Sequence, residues 1–187
     1  PKEISYTETE KFLETTTKKL VTVIDQKQID DAWNAYQTEA NRDVPYWDRS
    51  DRDKRVKVLL EKYNFLKSNP PVKIYEVSPN GEKKEYINPS IRSKQEMLKQ
   101  KLEEYGKMQK RFLDDEAQYY IYWSGYYRCN METSRCYMNN LRNECAALQN
   151  DLNTTIQSTI AKPLVVNTEK TREVTKYKTV EEEVLEE

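Results

Sequence analysis

The sequence predicts an α+β chain, mostly helical. It combines a long antiparallel helical hairpin of coiled-coil type, two shorter helices, a small β-hairpin and extended, β-rich termini. Three observations predict this. Apolar residues recur at helical spacing through most of 90–160. An Asn-Gly pair, the strongest short turn signal, sits between β-branched runs in 72–88. Threonine and β-branched residues alternate with charged ones at both ends of the chain.

Residues 1–24 open the chain as an extended or β N-terminal arm. Ile4, Tyr6, Phe12 and the run Leu20-Val21-Thr22-Val23-Ile24 lie among threonines and charges, which suits one or two strands whose free edge is kept soluble by charge. Residues 25–68 form a two-helix segment. Asp25 is a fair N-cap, with Gln28 at the capping-box offset. Ile29, Trp33, Tyr36 and Ala40 make one face of the first helix, and Asp43-Val44-Pro45 ends it. The second helix starts from Ser50 or Asp51, carries Val56, Leu59, Leu60, Tyr63 and Leu66, and stops at Asn69-Pro70-Pro71. Residues 72–88 then make the β-hairpin. Val72, Ile74, Tyr75 and Val77 precede Ser78-Pro79-Asn80-Gly81, and Tyr86-Ile87 return.

Residues 89–162 form the long helical hairpin on which the rest depends. In its first arm Ile91, Leu98, Tyr105, Phe112 and Tyr119 repeat every seven residues, with Leu102 and Trp123 alongside. In its second arm Met131, Met138, Cys145, Leu148 and Leu152 interleave with Ser134 and Leu141; Ile156 and Ile160 continue the stripe to Pro163. The two stripes differ in phase, so something interrupts the helix between them, and Ser124-Gly125 is the turn signal. Two nearly equal arms around a short turn favour an antiparallel pair over one kinked helix. Residues 163–187 form an extended or β C-terminal arm with an acidic end. In it Val174, Lys176, Lys178 and Val180 share one side, and Thr175, Tyr177 and Thr179 the other. Neither side is purely apolar, so its register is weakly specified. The out-and-back geometry brings residue 163 beside residue 89, where the hairpin, the C-terminal arm and the N-terminal arm can form a small β base.

Composition narrows the function. Charged residues make up 34% of the chain and hydrophobic ones 36%, with a net charge of −1; this is a composition of long exposed helices rather than of one large core. No basic face of the kind nucleic acid requires stands out, and no apolar run is long enough to span a membrane. There is no histidine, which removes Ser-His-Asp and Cys-His catalysis and the histidine-bearing zinc and di-iron patterns. With three glycines the chain could hardly build a phosphate-cradling loop. No catalytic residue, metal or cofactor is therefore expected, and nothing points to a small-molecule ligand.

Cys129, Cys136 and Cys145 are spaced as reduced, intracellular thiols on one helix. If position 1 is the natural terminus, Pro1 favours the cytoplasm; an extracellular or cell-surface location is the alternative. Cys129 and Arg135 fit the C-x5-R spacing of a phosphatase loop, but no glycine lets such a loop wrap and the segment continues a helical stripe. Asp48, Asp51 and Asp53 resemble part of a calcium loop, yet Asp53 stands where glycine is needed, and helix capping accounts for them better.

The expectation is a non-enzymatic structural or scaffold subunit of a larger assembly or filament, cytoskeletal in kind. Its partners would be other proteins or copies of itself. The contact candidates are Tyr119, Tyr120, Tyr122, Trp123, Tyr126 and Tyr127 at the helical turn, and Val174, Tyr177 and Val180 on the C-terminal arm. Tyrosine and tryptophan give large contact area at low entropy cost. The alternative is a discrete binding module whose aromatic cluster holds a ligand, a glycan or a membrane surface. A plainer possibility is that Trp33, Tyr36, Tyr46, Trp47, Tyr63 and Phe65 fold over the turn and bury it.

Overall fold

The structure is a computed structural model that describes residues 1–181; the acidic end predicted at 181–187 lies, apart from Glu181, outside the described residues. The elements follow in the order β1 (Lys2–Ile24), α1 (Gln26–Ala40), a 3₁₀ turn (Tyr46–Asp48), α2 (Arg49–Ser68), β2 (Val72–Val77), β3 (Lys83–Glu85), α3 (Pro89–Tyr122), α4 (Gly125–Ile160) and β4 (Leu164–Val180). The chain is thus a mixture of four helices and one four-stranded antiparallel sheet, in the order β3-β2-β1-β4.

The helix starts follow local chemistry. At α3, Pro89 needs no N–H partner in the first turn, and the Asn88 side chain accepts from the N–H groups of Ser90 and Ile91. At α4, Ser124 accepts from the Tyr127 N–H at 3.3 Å. The capping box expected at α1 does not form: Gln28 donates to the Asp25 side chain, and the Asp25 N–H donates to the Pro71 carbonyl instead of to Gln28. The second helix begins one residue earlier than read, at Arg49.

Side-chain contacts join α3 and α4 in reverse order. Lys94 meets Asp151, Lys101 meets Glu144, the Arg142 guanidinium donates to the Tyr105 hydroxyl, and Arg135 lies over the Phe112 ring. The two predicted stripes face each other. Ile91, Leu98 and Tyr105 from α3 are buried with Met138, Cys145, Leu152 and Ile156 from α4, and Leu20 and Ile74 close this core from the sheet. Burial fades toward the turn, where Phe112 and Tyr119 are only half-buried. At 1.5 Å per residue α3 is roughly 50 Å long.

The α2 helix lies on α3. Lys54 reaches Asp114, Lys110 reaches Asp51, and Gly106 lets α3 approach Val58, since a Cβ there would stand 3.3 Å from its methyl group. On the outside, α1 packs on α2 through Ile29, Ala32 and Leu66.

The sheet corrects the sequence reading in two ways. The return strand of the hairpin is Lys83–Glu85 rather than Tyr86-Ile87, with Gly81 at φ +87° completing the turn; Tyr86 still donates its N–H to Ile74. The N-terminal strand is also the centre of the sheet. Its residues 19–24 pair with β2, and residues 2–18 pair with β4, Lys2 opposite Val180 and Lys18 opposite Leu164. The C-terminal arm therefore meets the N-terminal arm and not the hairpin.

That second pairing is a two-stranded ribbon about 55 Å long. Most of it has solvent on both faces; only from Phe12 inward does β1 alternate between half-buried and exposed. The ribbon raises the accessible surface of the molecule. It measures 13730 Å², against about 9,400 Å² for a compact chain of 22.3 kDa.

Candidate protein-interaction surfaces

The first surface is the turn between α3 and α4. The sequence points to Ser124-Gly125 as its break, but the left-handed residue is Trp123, at φ 50°. A side chain as bulky as tryptophan is rare in that conformation and carries strain on the order of 1–2 kcal/mol. It ends α3 by donating its N–H to Tyr119 and turns the indole outward.

Two aromatic groups result. Tyr119, Tyr120 and Trp123 pack edge to face or tilted, with centroids 5.5 to 5.8 Å apart. Tyr122 stacks on Tyr127 at 4.9 Å, and Tyr126 meets Tyr127 edge-on. Trp123 and Tyr126 remain 69% and 71% exposed, and Tyr120, Ile121 and Tyr122 are exposed with them; Tyr119 and Tyr127 are half-buried beneath.

The residues that could have covered this turn are engaged elsewhere. Trp33 makes tilted ring contacts with Tyr36 and Tyr63, at 5.3 and 4.9 Å between centroids. Phe65 packs against the core. Tyr46 and Trp47 ride on the 3₁₀ turn, 82% and 85% exposed. They border a cleft of about 610 Å³ whose opposite wall is Leu113, Glu116 and Ala117 of α3. Leu113 and Ala117 share a helical face with Tyr120 and Ile121, one to two turns away, so this pair extends the aromatic surface down the side of α3. The sequence offered Tyr46 and Trp47 as cover for the turn only under the plainer alternative. Their position after Pro45, outside either helical stripe, is the signal that they do not pack inward.

The second surface is the ribbon. Val174 and Val180 are half-buried on one face, opposite Glu8 and Lys2, and Tyr177 is exposed on the other, opposite Ser5. Structure thus separates these three residues by face and keeps them far in sequence from the aromatic turn. The face of Val174 carries a ladder of charges. Glu8 pairs with Lys176, Glu10 with Arg172 and Glu14 with Lys170; Arg172 also covers Phe12, and Lys178 covers Tyr6. The other face holds Thr7, Thr9, Thr15 and Thr17 with Thr171, Thr175 and Thr179. Ordinary burial cannot hold such a ribbon together, because exposed cross-strand pairs contribute only about 0.2–1 kcal/mol each.

The acidic groups singled out in the sequence are occupied by ion pairs. Asp51 accepts from Lys110 and Arg55, Asp48 lies 3.7 Å from Arg55, and Asp53 pairs with Arg52. The bond from Lys110, supported by nearby Arg55 and Lys54, holds the Asp51 carboxyl below its usual range despite partial burial. Burial pushes Glu39 the other way, but Arg55 and Arg42 outweigh it and lower its pKa. Between α2, α3 and α4, Glu61 accepts from both Tyr105 and Gln109. Burial, then the Glu61 carboxylate, raise the Tyr105 pKa, so the phenol stays a donor.

Cys129 and Arg135 both lie inside α4, where Arg135 binds Glu132. A continuous helix cannot wrap an anion in its backbone N–H groups, because those groups are already bonded along the axis. Among the described residues no group of three or more histidine, cysteine or carboxylate side chains gathers as for a metal, and no helix is long and apolar enough to cross a membrane. Comparison of the chain with protein-family models, with curated proteins and with solved structures finds no match.

Proposed function

We propose that this chain is a structural subunit of a larger protein assembly. The observation that carries the reading is the ribbon of 2–18 and 164–180, which leaves the helical body with, among the described residues, both long edges unpaired. Unpaired edges of this length attract further strands. In this reading α3 and α4 act as an antiparallel coiled-coil strut that sets length, and its contact partners are proteins or copies of the chain. Nothing in the reading requires catalysis.

Sedimentation velocity tests it, comparing the full chain with a version lacking 1–17 and 165–187, which keeps buried Leu20 in place. The expected result is an elongated, self-associating full chain and a monomeric trimmed one. A full chain that stays monomeric at every concentration, alone and with lysate proteins, would sink the proposal.

A second reading rests on a different observation, the strained, outward-turned Trp123 among exposed tyrosines. Strain held at an exposed aromatic suits a recognition surface. In this reading the turn is a discrete binding site. Replacing Tyr122, Trp123 and Tyr126 with alanine should then remove ligand binding and leave self-association unchanged. If the triple variant instead loses self-association, the turn belongs to the assembly contacts.

A further inference from the structure

The two edges of the ribbon are not alike. On the face of Val174, β1 sets Glu8, Glu10 and Glu14 in a row, with Lys2 and Lys18 at its two ends. On the same face β4 sets Lys170, Arg172, Lys176 and Lys178, while its Glu169 and Glu173 lie on the other face with Glu3 and Lys11 of β1. On the face of Val174 the middle of the β1 edge is therefore acidic and the β4 edge basic. Along each edge about half of the backbone N–H and C=O groups point away from the partner strand, and among the described residues no other strand takes them: β2 pairs only with 19–24, and β4 is the last strand in the sheet order.

We infer that the ribbon of one copy joins that of a second copy edge to edge, the acidic β1 edge of one accepting the basic β4 edge of the next. This inference rests on the assembly reading above and names its partner and polarity. Charge selects that pairing. Two β4 edges together would set lysine and arginine rows beside each other, and two β1 edges would do the same with glutamates; like charges directly opposite are unfavourable in a sheet. The mixed pairing places each glutamate row between two basic rows. It also continues the threonine face across the junction, where β-branched side chains pack well. Unlike edges make a heterologous contact, which leaves one acidic and one basic edge free after each addition and so propagates.

The twist of the sheet sets successive helical bodies apart. Neighbouring strands twist by roughly 20–25°, so each two-stranded addition turns by roughly 45°. At half a ribbon length from the axis, that separates successive bodies by roughly 20 Å where they leave the sheet. The position of β2 limits the incoming strand to residues 2–18, since beyond them the β1 edge is already occupied.

The test uses the full chain and two charge-reversed forms. One carries Glu8→Lys, Glu10→Lys and Glu14→Lys; the other carries Lys170→Glu, Arg172→Glu and Lys176→Glu. Each also sets like charges opposite one another within its own ribbon, where Glu8, Glu10 and Glu14 meet Lys176, Arg172 and Lys170. Circular dichroism therefore first checks that strand content is kept; where it is lost, the exchange measurement below decides. Each form alone should sediment as a monomer, because both of its edges then have the same sign, and an equimolar mixture should regain the large species of the unaltered chain. If either form alone assembles like the unaltered chain, or if the folded forms fail to assemble when mixed, edge pairing is overturned while assembly through another surface stands. An unaltered chain that is itself monomeric overturns edge pairing between copies, and the assembly reading falls with it if lysate proteins leave the chain monomeric too. Amide hydrogen exchange on the unaltered chain gives a readout free of substitutions. Assembly should slow exchange across both 3–17 and 165–179, and unchanged exchange there overturns the inference.

Discussion

The α3–α4 pair and the β1–β4 ribbon are both long antiparallel pairings of about 50 Å, and they are stabilised in opposite ways. The helical pair turns a stripe inward, so Leu98, Leu152 and Ile156 lose nearly all contact with water. The ribbon turns nothing fully inward before Leu20. Leu13 remains 70% exposed, although it has the same apolar side chain as Leu98. The difference is one of burial, and burial against a third element, rather than length of pairing, is what stabilises such a pair. The α2 helix and the base of the sheet cover the helical pair. The outer ribbon has no such cover among the described residues, and a two-stranded ribbon by itself is marginal in water.

Four predictions press on this comparison. The largest effect belongs to the helical pair. Leu98→Ala removes a buried side chain from the centre of the core and should cost about 2–5 kcal/mol in chemical denaturation; a loss below about 1 kcal/mol would mean that α3 and α4 are not held by this stripe. Next comes the polar seam. Glu61→Ala deprives Tyr105 and Gln109 of their acceptor and should cost about 1–2 kcal/mol. A double-mutant cycle with Tyr105→Phe should return a coupling near 1 kcal/mol, and full additivity would show that the bond contributes nothing.

A smaller effect depends on pH. The Asp51 carboxyl is lowered in the folded state by Lys110. Its contribution is therefore complete above the unfolded value of about 4 and is lost as pH falls through the lower folded value. The stability gap between the unaltered chain and Asp51→Asn should be constant near neutrality and narrow below about pH 4; a gap that stays constant to acid pH would refute the role of this pair. The smallest effect belongs to the ribbon. Leu13→Thr should alter monomer stability by less than about 0.5 kcal/mol, measured on the dilute chain. A loss comparable to that of Leu98→Ala would show that the ribbon packs on something within the molecule and erase the contrast.

The same contrast decided how much was legible in advance. The stripes at Ile91, Leu98 and Tyr105 and at Met131, Met138 and Cys145 were readable because one partner is enough to fix a helical face. Polar residues inside the stripe fitted too: Ser134 is buried where the helices approach, its hydroxyl donating within its own helix to Asn130 and Met131. The Asn-Gly turn and the stop at Pro163 are local and were equally clear. The exposed aromatic turn was visible as composition, but its conformation was not. Helix ends favour glycine at left-handed positions, and Gly125 was adjacent, yet the helix ended two residues earlier on Trp123.

What the sequence determined by itself are the elements: four helices, a tight hairpin and two extended ends, because helical period, β-branched alternation and Pro/Gly breaks act over a few residues. Only the tertiary structure decided which strand is central, that the two ends pair with each other over 17 residues each, and that Tyr46 and Trp47 stay outside while Trp33 packs on Tyr63 between α1 and α2. These are choices between distant segments. The alternation of the ends fixes only which side chains share a face, and with both faces mixed in character it leaves partner and register open. Those were settled by where α3 and α4 return the chain, which places Leu164 beside Lys18 and lets the rest of the ribbon follow pair by pair.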